Sequence, residues 1–271
     1  MDLEDLKFNF GCASCGYKKQ EADKPLGQIP VSRVIEKLDE HFSRNDMAEA
    51  GRLLDYWRKE AVTLRDKRGE LTVVSEQIGY FRKTVVQEKA LEAVSRALEL
   101  IGQNPENVSF GTILLNAATT LKAFGKAEEA LPLYDKTREI YEKHLEKDDV
   151  LFAGYYNNYG LALADLARYP EAEEAYQAAL SIVLPKKESR LDGAITYLNM
   201  AQMYPYWDEK TAADIKLCLE KAKEILEDPE NVRNGYYAFV LSKCAPAFRE
   251  FGKVDFAGKL EKLSEEIYAG N

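Results

Sequence analysis

The sequence predicts an all-α fold, a superhelical solenoid built from about six antiparallel helix pairs. Three observations predict it. Apolar residues recur at spacings of three and four, as over residues 127–145, which is the pattern of a helix with one buried face. Two such stretches joined by a short polar turn form a unit that the chain repeats. A small residue stands in the middle of the first stretch, and successive copies of it lie about 40 to 44 residues apart.

The two clearest copies of this unit lie in the middle of the chain. Each runs from an apolar stretch through a polar turn to a second stretch with an alanine near its start and a tyrosine after it. The first copy joins Leu114–Leu121 to Ala127–Tyr134 through Phe124–Lys126, and the second joins Tyr156–Leu163 to Pro170–Tyr176 through Ala167–Tyr169. Each pair leaves apolar surface that the next pair must cover, so the units are expected to stack.

This unit resembles the tetratricopeptide repeat, whose family has small residues where two antiparallel helices cross and a bulky one where neighbouring repeats stack. The matching residues are Ala118 and Gly160 in the small position of the first helix, Ala130 and Ala172 in that of the second, Gly125 in the turn, and Tyr134 and Tyr176 in the bulky position. The resemblance implies a right-handed superhelix with a concave groove that binds peptides. The interval is longer than the roughly 34 residues of that family, which indicates extended helices similar to those of its kinesin-light-chain-like branch.

The same register extends from residue 31 to residue 271 and defines the predicted repeat domain. The small position falls on Leu38, Ile78, Ala118, Gly160, Ala201 and Ala245, and the alanine of the second helix falls on Ala50, Ala90, Ala130, Ala172 and Ala257. Leu38 and Ile78 are too large for the position, so the first two repeats are predicted to be degenerate. Pro205 and Pro246 lack the N–H that a helix interior uses, so an irregular turn or a kink is expected at each.

Residues 1–30 are predicted to form a partly irregular N-terminal arm, because glycine and proline interrupt any long helical period there. Cys12 and Cys15 in this arm have the spacing that chelates one metal ion or closes a redox disulfide. A structural zinc site normally takes four ligands, and the sequence has no second closely spaced pair. No metal site is therefore predicted, and the two cysteines remain the metal or redox alternative. A further hypothesis is that the arm occupies the groove as an internal ligand.

Composition and charge exclude several classes of function. The chain of 271 residues has a formal net charge of −9, which argues against nucleic-acid binding because phosphates are neutralised by a basic surface. No apolar run approaches the roughly 20 residues that span a bilayer, and the acidic start does not resemble a secretory signal. Four unevenly spaced cysteines do not form the disulfide framework of a secreted domain. The expected location is the reducing cytoplasm, with Cys218 and Cys244 as free thiols in the core.

The sequence contains no recognisable catalytic constellation. His41 and His144 are the only histidines, and neither belongs to a zinc-protease pattern. No glycine-rich phosphate loop or dinucleotide fingerprint occurs. The chain is therefore predicted to be a non-enzyme that needs no cofactor.

Asparagines are predicted to line the groove that the resemblance implies. Asn116, Asn158 and Asn199 occupy equivalent places in three consecutive repeats, and Asn157 lies beside them. An asparagine amide offers both a donor and an acceptor to an extended peptide backbone. The alternative, given equal weight, is that these side chains cap or bridge neighbouring helices.

Basic residues are predicted to lie near the start of this row. Arg82, Lys83 and Lys122 project onto the same face as Asn116. A basic window in an acidic protein favours an acidic segment or a C-terminal carboxylate as the ligand. The alternative is that these side chains only solvate the helix surface.

The leading functional hypothesis is a cytoplasmic adaptor or receptor that binds a protein or peptide partner in its groove. Two alternatives belong to other classes. One is a self-assembling scaffold, a homodimer through its terminal repeats, and the other is a metal or redox switch through Cys12 and Cys15.

Overall fold

The structure is a computed structural model, and it describes residues 24–44, 46–102 and 106–270. These residues form twelve α-helices and no β-strand, which confirms the predicted all-α class. The helices are α1 Val31–Ser43, α2 Met47–Thr63, α3 Lys67–Lys83, α4 Gln87–Ile101, α5 Val108–Ala123, α6 Ala127–His144, α7 Val150–Asp165, α8 Tyr169–Val183, α9 Arg190–Met203, α10 Ala212–Leu226, α11 Gly235–Glu250 and α12 Val254–Gly270. A short 3-10 helix, Tyr204–Tyr206, follows α9.

The chain divides into two compact units, each of which is described by itself. The N-terminal unit, Met1–Gly102, contains the pairs α1/α2 and α3/α4. The C-terminal unit, Gln103–Asn271, contains the pairs α5/α6, α7/α8, α9/α10 and α11/α12. The predicted repeat domain 31–271 thus contains six pairs, and the boundary between the units follows Gly102. That glycine ends α4 with a φ of 74°, a left-handed conformation that stops a helix.

The predicted register places its residues where helices cross. All five second-helix alanines are 0% exposed, and Leu38 and Ile78 are at most 1% exposed although both are large. Gly160 shows why a small residue is needed, because a Cβ built on it would lie 2.7 Å from the ring of Tyr176. Gly111 is a second such position, because a Cβ built on it would lie 2.8 Å from the ring of Tyr141. The register predicted from the sequence did not include Gly111. The core of each unit is therefore a series of helix crossings.

Tight turns within four pairs share one left-handed residue at the same place in the register. These residues are Val85, Gly125, Ala167 and Gly252, with φ values of 58°, 76°, 57° and 72°. Gly125, predicted as the turn glycine, has the conformation that glycine adopts without strain. A β-branched residue in this region is strained, so Val85 is the costly member of the set.

The two prolines behave differently. Pro205 lies in the 3-10 helix that follows α9, which confirms the irregular turn expected there. Pro246 lies inside α11, which is continuous over Gly235–Glu250, so the irregular turn expected at this proline is absent. Pro246 is exposed and so is Ser242, whose carbonyl loses the helical hydrogen bond and is left for water to satisfy.

Cys218 and Cys244 are buried free thiols, as predicted. Burial raises the pKa of Cys218 to about 11 and that of Cys244 to about 12. Both side chains therefore act as small apolar groups in the core of the C-terminal unit. Among the described residues, no helix combines the length and apolar character needed to cross a membrane.

Candidate functional site

The first helices of the C-terminal pairs lie side by side. Helix α5 contacts α7, α7 contacts α9, and α9 contacts α11. We call the surface formed by their exposed side chains the inner face. The residues predicted to bind a ligand in this unit lie on three of these helices: Asn116 and Lys122 on α5, Asn157 and Asn158 on α7, and Asn199 on α9.

Asn157, rather than Asn158, joins Asn199 across the helices. The Asn199 amide Nδ2 donates to Asn157 Oδ1 at 3.0 Å, and the Thr196 hydroxyl donates to the same oxygen at 3.1 Å. Asn158 instead donates to the carbonyl of Gly154, one turn back in its own helix, at 2.8 Å. The predicted bridging role therefore occurs between Asn157 and Asn199. This hydrogen bond uses one N–H of Asn199, and the Asn199 Oδ1 can still accept another hydrogen bond.

A second row of polar contacts links the same helices nearer their C-terminal ends. The Lys122 ammonium on α5 lies 3.4 Å from the Asp165 carboxylate on α7. Gln202 on α9 donates through Nε2 to Glu250 on α11 at 2.6 Å. The positive charge predicted at Lys122 is thus balanced by Asp165.

Arg82 and Lys83 belong to the N-terminal unit, at the end of α3. The Lys83 ammonium lies 5.6 Å from the centroid of the Phe42 ring on α1. Acidic side chains share this part of the unit, where burial and the Asp39 carboxylate raise the pKa of Glu76. The N-terminal unit, which carries the two predicted basic residues, therefore also carries interacting acidic side chains.

A cleft of about 360 Å³ opens on the inner face between α7, α8 and α9. Its lining residues are Leu161, Ala164, Asp165, Tyr169, Tyr176, Asn199, Gln202, Met203 and Tyr206. The lining combines apolar and aromatic side chains with two amides and one carboxylate, and Tyr206 is 73% exposed. This combination of apolar walls with a few polar groups is typical of ligand sites.

Tyr176 is the unusual residue of the cleft. Its side chain is 0% exposed, and its hydroxyl has no hydrogen-bond partner among the described residues. Burial, and secondarily the Asp165 carboxylate, raises the pKa of its phenol. The hydroxyl therefore stays protonated and can still both donate and accept. An unpaired buried hydroxyl costs free energy and calls for an explanation.

A network of charge and aromatic rings positions the segment that carries Tyr206. Lys210 forms an ion pair with Glu173 at 2.5 Å, and its ammonium lies 4.8 Å from the Tyr204 ring centroid and 4.7 Å from that of Trp207. The Tyr204 hydroxyl donates to Glu173 at 2.6 Å. These contacts fix the 3-10 helix on α8 and so hold Tyr206 at the cleft.

Sequence reasoning assigned Tyr176 only a stacking role and did not single out Gln202. One signal was present for Tyr176, because a tyrosine at a fully buried position carries a hydroxyl that a phenylalanine would not. The sequence gives no comparable signal for Gln202. Its hydrogen-bond partner Glu250 lies on α11, which is separated from α9 by the whole of α10.

No group of three potential metal ligands occurs among the described residues. Cys12 and Cys15 lie outside those residues. His41 lies 3.9 Å from the Asp46 carboxylate, and His144 is exposed near the end of α6. Neither histidine belongs to the cleft.

A family model for the tetratricopeptide repeat matches residues 111–150 and 152–183. No curated protein sequence matches the chain. Among solved structures, the chain is similar to a putative kinesin light chain with nearly identical TPR-like repeats from Podosopora anserina, at 15% identity over 74% of this chain and 95% of that one, with a TM-score of 0.50. A variant of that protein gives a TM-score of 0.51 at the same identity and coverage.

The chain is also similar to BtubC (BKLC) from P. vanneervenii, at 20% identity over 84% of this chain and 91% of that one, with a TM-score of 0.48. Identities this low show the fold alone. The family model shows that residues 111–150 and 152–183 contain tetratricopeptide repeats, and the similarity to the putative kinesin light chain shows that the chain shares the fold of TPR-like repeats.

Proposed function

We propose that this protein binds an extended segment of a partner protein on the inner face of its C-terminal unit, centred on the cleft. Tetratricopeptide repeat proteins bind protein or peptide partners and are generally non-enzymatic scaffolds. The observation that carries the proposal is Tyr176, a residue that lines the cleft and whose buried hydroxyl has no partner among the described residues. Leaving such a group unpaired costs about 1–3 kcal/mol, and a ligand that supplies its partner recovers part of that cost.

The chemistry of the cleft suits a peptide backbone. The amides of Asn199 and Gln202 each give one N–H to a neighbouring helix, so their oxygens can accept from backbone N–H groups. Leu161 and Met203 offer apolar contact to a side chain. The volume lies within the roughly 300–1,000 Å³ of ligand clefts and accommodates a few residues.

More specifically, we propose that the bound segment is acidic or ends in a free carboxylate. This part of the proposal depends on Lys122. Because Lys122 already pairs with Asp165, a ligand carboxylate has to replace Asp165 rather than meet a free cation. Asp165→Asn should then tighten binding of a carboxylate-bearing peptide, and Lys122→Gln should weaken it, each by about threefold to tenfold. A peptide that responds to neither variant is recognised without its carboxylate.

The test of the main proposal uses two tyrosines that differ only in position. A peptide library is screened against the full chain, and the affinity of a selected peptide is measured for Tyr176→Phe and for Tyr155→Phe. Both hydroxyls are buried without a partner in the described chain, but only Tyr176 lines the cleft. We expect Tyr176→Phe to lose about threefold to tenfold in affinity and Tyr155→Phe to lose none.

Both substitutions remove an unsatisfied hydroxyl, so both chains should unfold at an equal or higher urea concentration than the wild type. This gain shows that a loss of affinity is not a loss of fold. Equal affinity for the wild type and for Tyr176→Phe would refute the assignment of the cleft.

Self-assembly through the terminal repeats is less favoured than peptide binding. Five of the ten exposed residues of α12 are charged, among them Lys259, Lys262, Glu265 and Glu266, and a polar outer surface is typical of a terminal repeat that caps a solenoid. A homodimer therefore remains a prediction that light scattering tests, since a single mass across micromolar concentrations would exclude it. We propose the cytoplasm as the location, where the buried thiols stay reduced.

A further inference from the structure

A second cleft lies in the N-terminal unit. It has a volume of about 480 Å³ and is formed mainly by the two second helices of this unit, α2 and α4, with α3 between them. We call it the outer cleft. Its residues from α3 are Gln77 and Phe81, and both are buried. The proposed function does not use this cleft.

Gln77 leaves one hydrogen-bonding atom unused at this cleft. Its side chain is 1% exposed, and its Nε2 donates to the Asp55 carboxylate at 3.2 Å. Because a carboxylate only accepts, this contact fixes which end of the amide is the nitrogen. Oε1 therefore points elsewhere, and it has no partner among the described residues. A buried acceptor of this kind calls for an N–H or O–H donor.

The outer cleft also has an excess of positive charge, because Arg58, Lys59 and Lys89 line it together with only two carboxylates, Asp55 and Glu92. Asp55 accepts from Gln77, and Glu92 pairs with Arg58 at 3.1 Å. Lys59 and Lys89 also line the cleft, and within the described chain neither forms an ion pair. The Lys89 ammonium lies 5.4 Å from the Phe81 ring centroid. The cleft thus offers two lysines, an apolar floor and one acceptor.

The chain enters the N-terminal unit beside this cleft. The N–H of Leu26 donates to the carbonyl of Leu64 at 2.8 Å, and the N–H of Ile29 donates to the Asp66 carboxylate at 2.9 Å. Leu64 directly follows Thr63, which lines the cleft together with Val62. The sequence that precedes Leu26 is therefore tethered at the edge of the outer cleft.

The beginning of the sequence has the complementary chemistry. Asp2, Glu4 and Asp5 supply three carboxylates, Leu3 and Leu6 supply apolar side chains three residues apart, and every residue of this stretch has a backbone N–H. About 20 residues join this stretch to Leu26, and a covalent link of that length gives a ligand an effective concentration near the millimolar range, so even a weak site is occupied.

We propose that the outer cleft binds the stretch Asp2–Leu6 of the same chain. The carboxylates pair with Lys59 and Lys89, the leucines contact Val62 and Phe81, and a backbone N–H donates to Gln77 Oε1. The N-terminal stretch is then an intramolecular ligand on the surface of α2 and α4, which is a different surface from the cleft proposed for partner binding.

The test measures amide hydrogen exchange of residues 2–8 in the full chain and in a free peptide of that sequence. We expect slower exchange in the full chain, independent of protein concentration. Lys59→Glu combined with Lys89→Glu should speed that exchange about tenfold, because two attractive contacts become repulsive. The matched control, Arg33→Glu combined with Arg68→Glu, makes the same charge change at two exposed positions outside the cleft and should leave the exchange rate unchanged.

Two further variants keep the test independent of folding defects. Asp2→Lys, Glu4→Lys and Asp5→Lys, introduced together into the Lys59→Glu, Lys89→Glu chain, should restore slow exchange. Gln77→Met keeps the side-chain volume but removes the acceptor, and it should speed the exchange of residues 2–8 while the exchange of α3 stays slow. Exchange in the wild-type chain as fast as in the free peptide would overturn the proposal. So would protection that depends on concentration, or protection that the double lysine variant does not change.

Discussion

Gly160 and Gly154 lie in the same helix, α7, and the same substitution at each should change stability by different amounts. An added Cβ at Gly154 meets nothing within 4 Å, whereas at Gly160 it meets three ring atoms of Tyr176 at 2.7, 2.9 and 3.1 Å. Ordinary contact begins at 3.4 Å, so the nearest ring atom has to retreat by about 0.7 Å. The ring is fully buried, and it is not the free end of a flexible chain, so it yields only by moving its neighbours.

The magnitudes follow from two contributions. Glycine to alanine in a helix interior stabilises by about 1 kcal/mol, and this contribution is common to both positions. Overpacking a buried site costs about 1–3 kcal/mol, and this contribution occurs only at Gly160. Gly154→Ala should therefore stabilise the chain by about 1 kcal/mol. Gly160→Ala should be about 1–3 kcal/mol less stable than Gly154→Ala.

Urea unfolding followed by far-UV circular dichroism measures this difference. Both residues lie in α7, so if the protein unfolds in several steps, the same step reports on both variants. The helix-propensity contribution is common to the two variants and cancels in the difference between their stabilities. The slope of each transition should match the wild type, so that a change in midpoint reports a change in stability. Equal midpoints for the two variants would show that Tyr176 moves freely, and the crossing geometry proposed for this repeat would be wrong.

Three further predictions concern turns, charge and thiols. Val85→Gly should raise the free energy of unfolding by about 1 kcal/mol, because it relieves a β-branched residue at a φ of 58°; an unchanged urea midpoint would contradict this. Arg96→Ala should lower the free energy of unfolding by about 3–5 kcal/mol, because the Glu70 carboxylate is 5% exposed and accepts two hydrogen bonds from Arg96 at 2.6 and 2.9 Å. A loss below about 1 kcal/mol would show that water reaches Glu70. Cys218 and Cys244 should resist iodoacetamide at pH 8 in the folded chain and react in urea, because their raised pKa values of about 11 and about 12 leave little thiolate. Site-resolved mass spectrometry measures the rate of alkylation at each cysteine. Equal rates in the folded and the unfolded chain would refute the prediction.

The repeat register was predictable from sequence because it depends on residue size at a fixed interval. Ala118, Gly160, Ala201 and Ala245 are small residues at buried positions of the register, and such a constraint leaves a periodic mark. Leu38 and Ile78 show its limit, because both are buried at the same register position although neither is small.

The site was less predictable because it depends on the direction in which side chains point. One residue along a helix turns that direction by about 100°, and this step separates Asn157, which bonds Asn199, from Asn158, which bonds its own helix. The interval between repeats varies by a few residues, so alignment of the register does not fix the rotation. Contacts between distant residues, such as Gln77 with Asp55, leave no periodic mark at all.

The repeat with glycine in the small position is also the repeat whose stacking tyrosine reaches the cleft. Tyr134 and Tyr176 occupy the same bulky position and both are fully buried, but the helix before Tyr134 has Ala118 where the helix before Tyr176 has Gly160. The missing methyl lets the Tyr176 ring lie across α7 and places this residue among those that line the cleft. Gly160→Ala should therefore lower stability and affinity together, whereas Tyr176→Phe should raise stability and lower affinity. If Gly160→Ala and Tyr176→Phe change stability in opposite directions but both weaken peptide binding, the binding site depends on how the side chains pack at this one helix crossing.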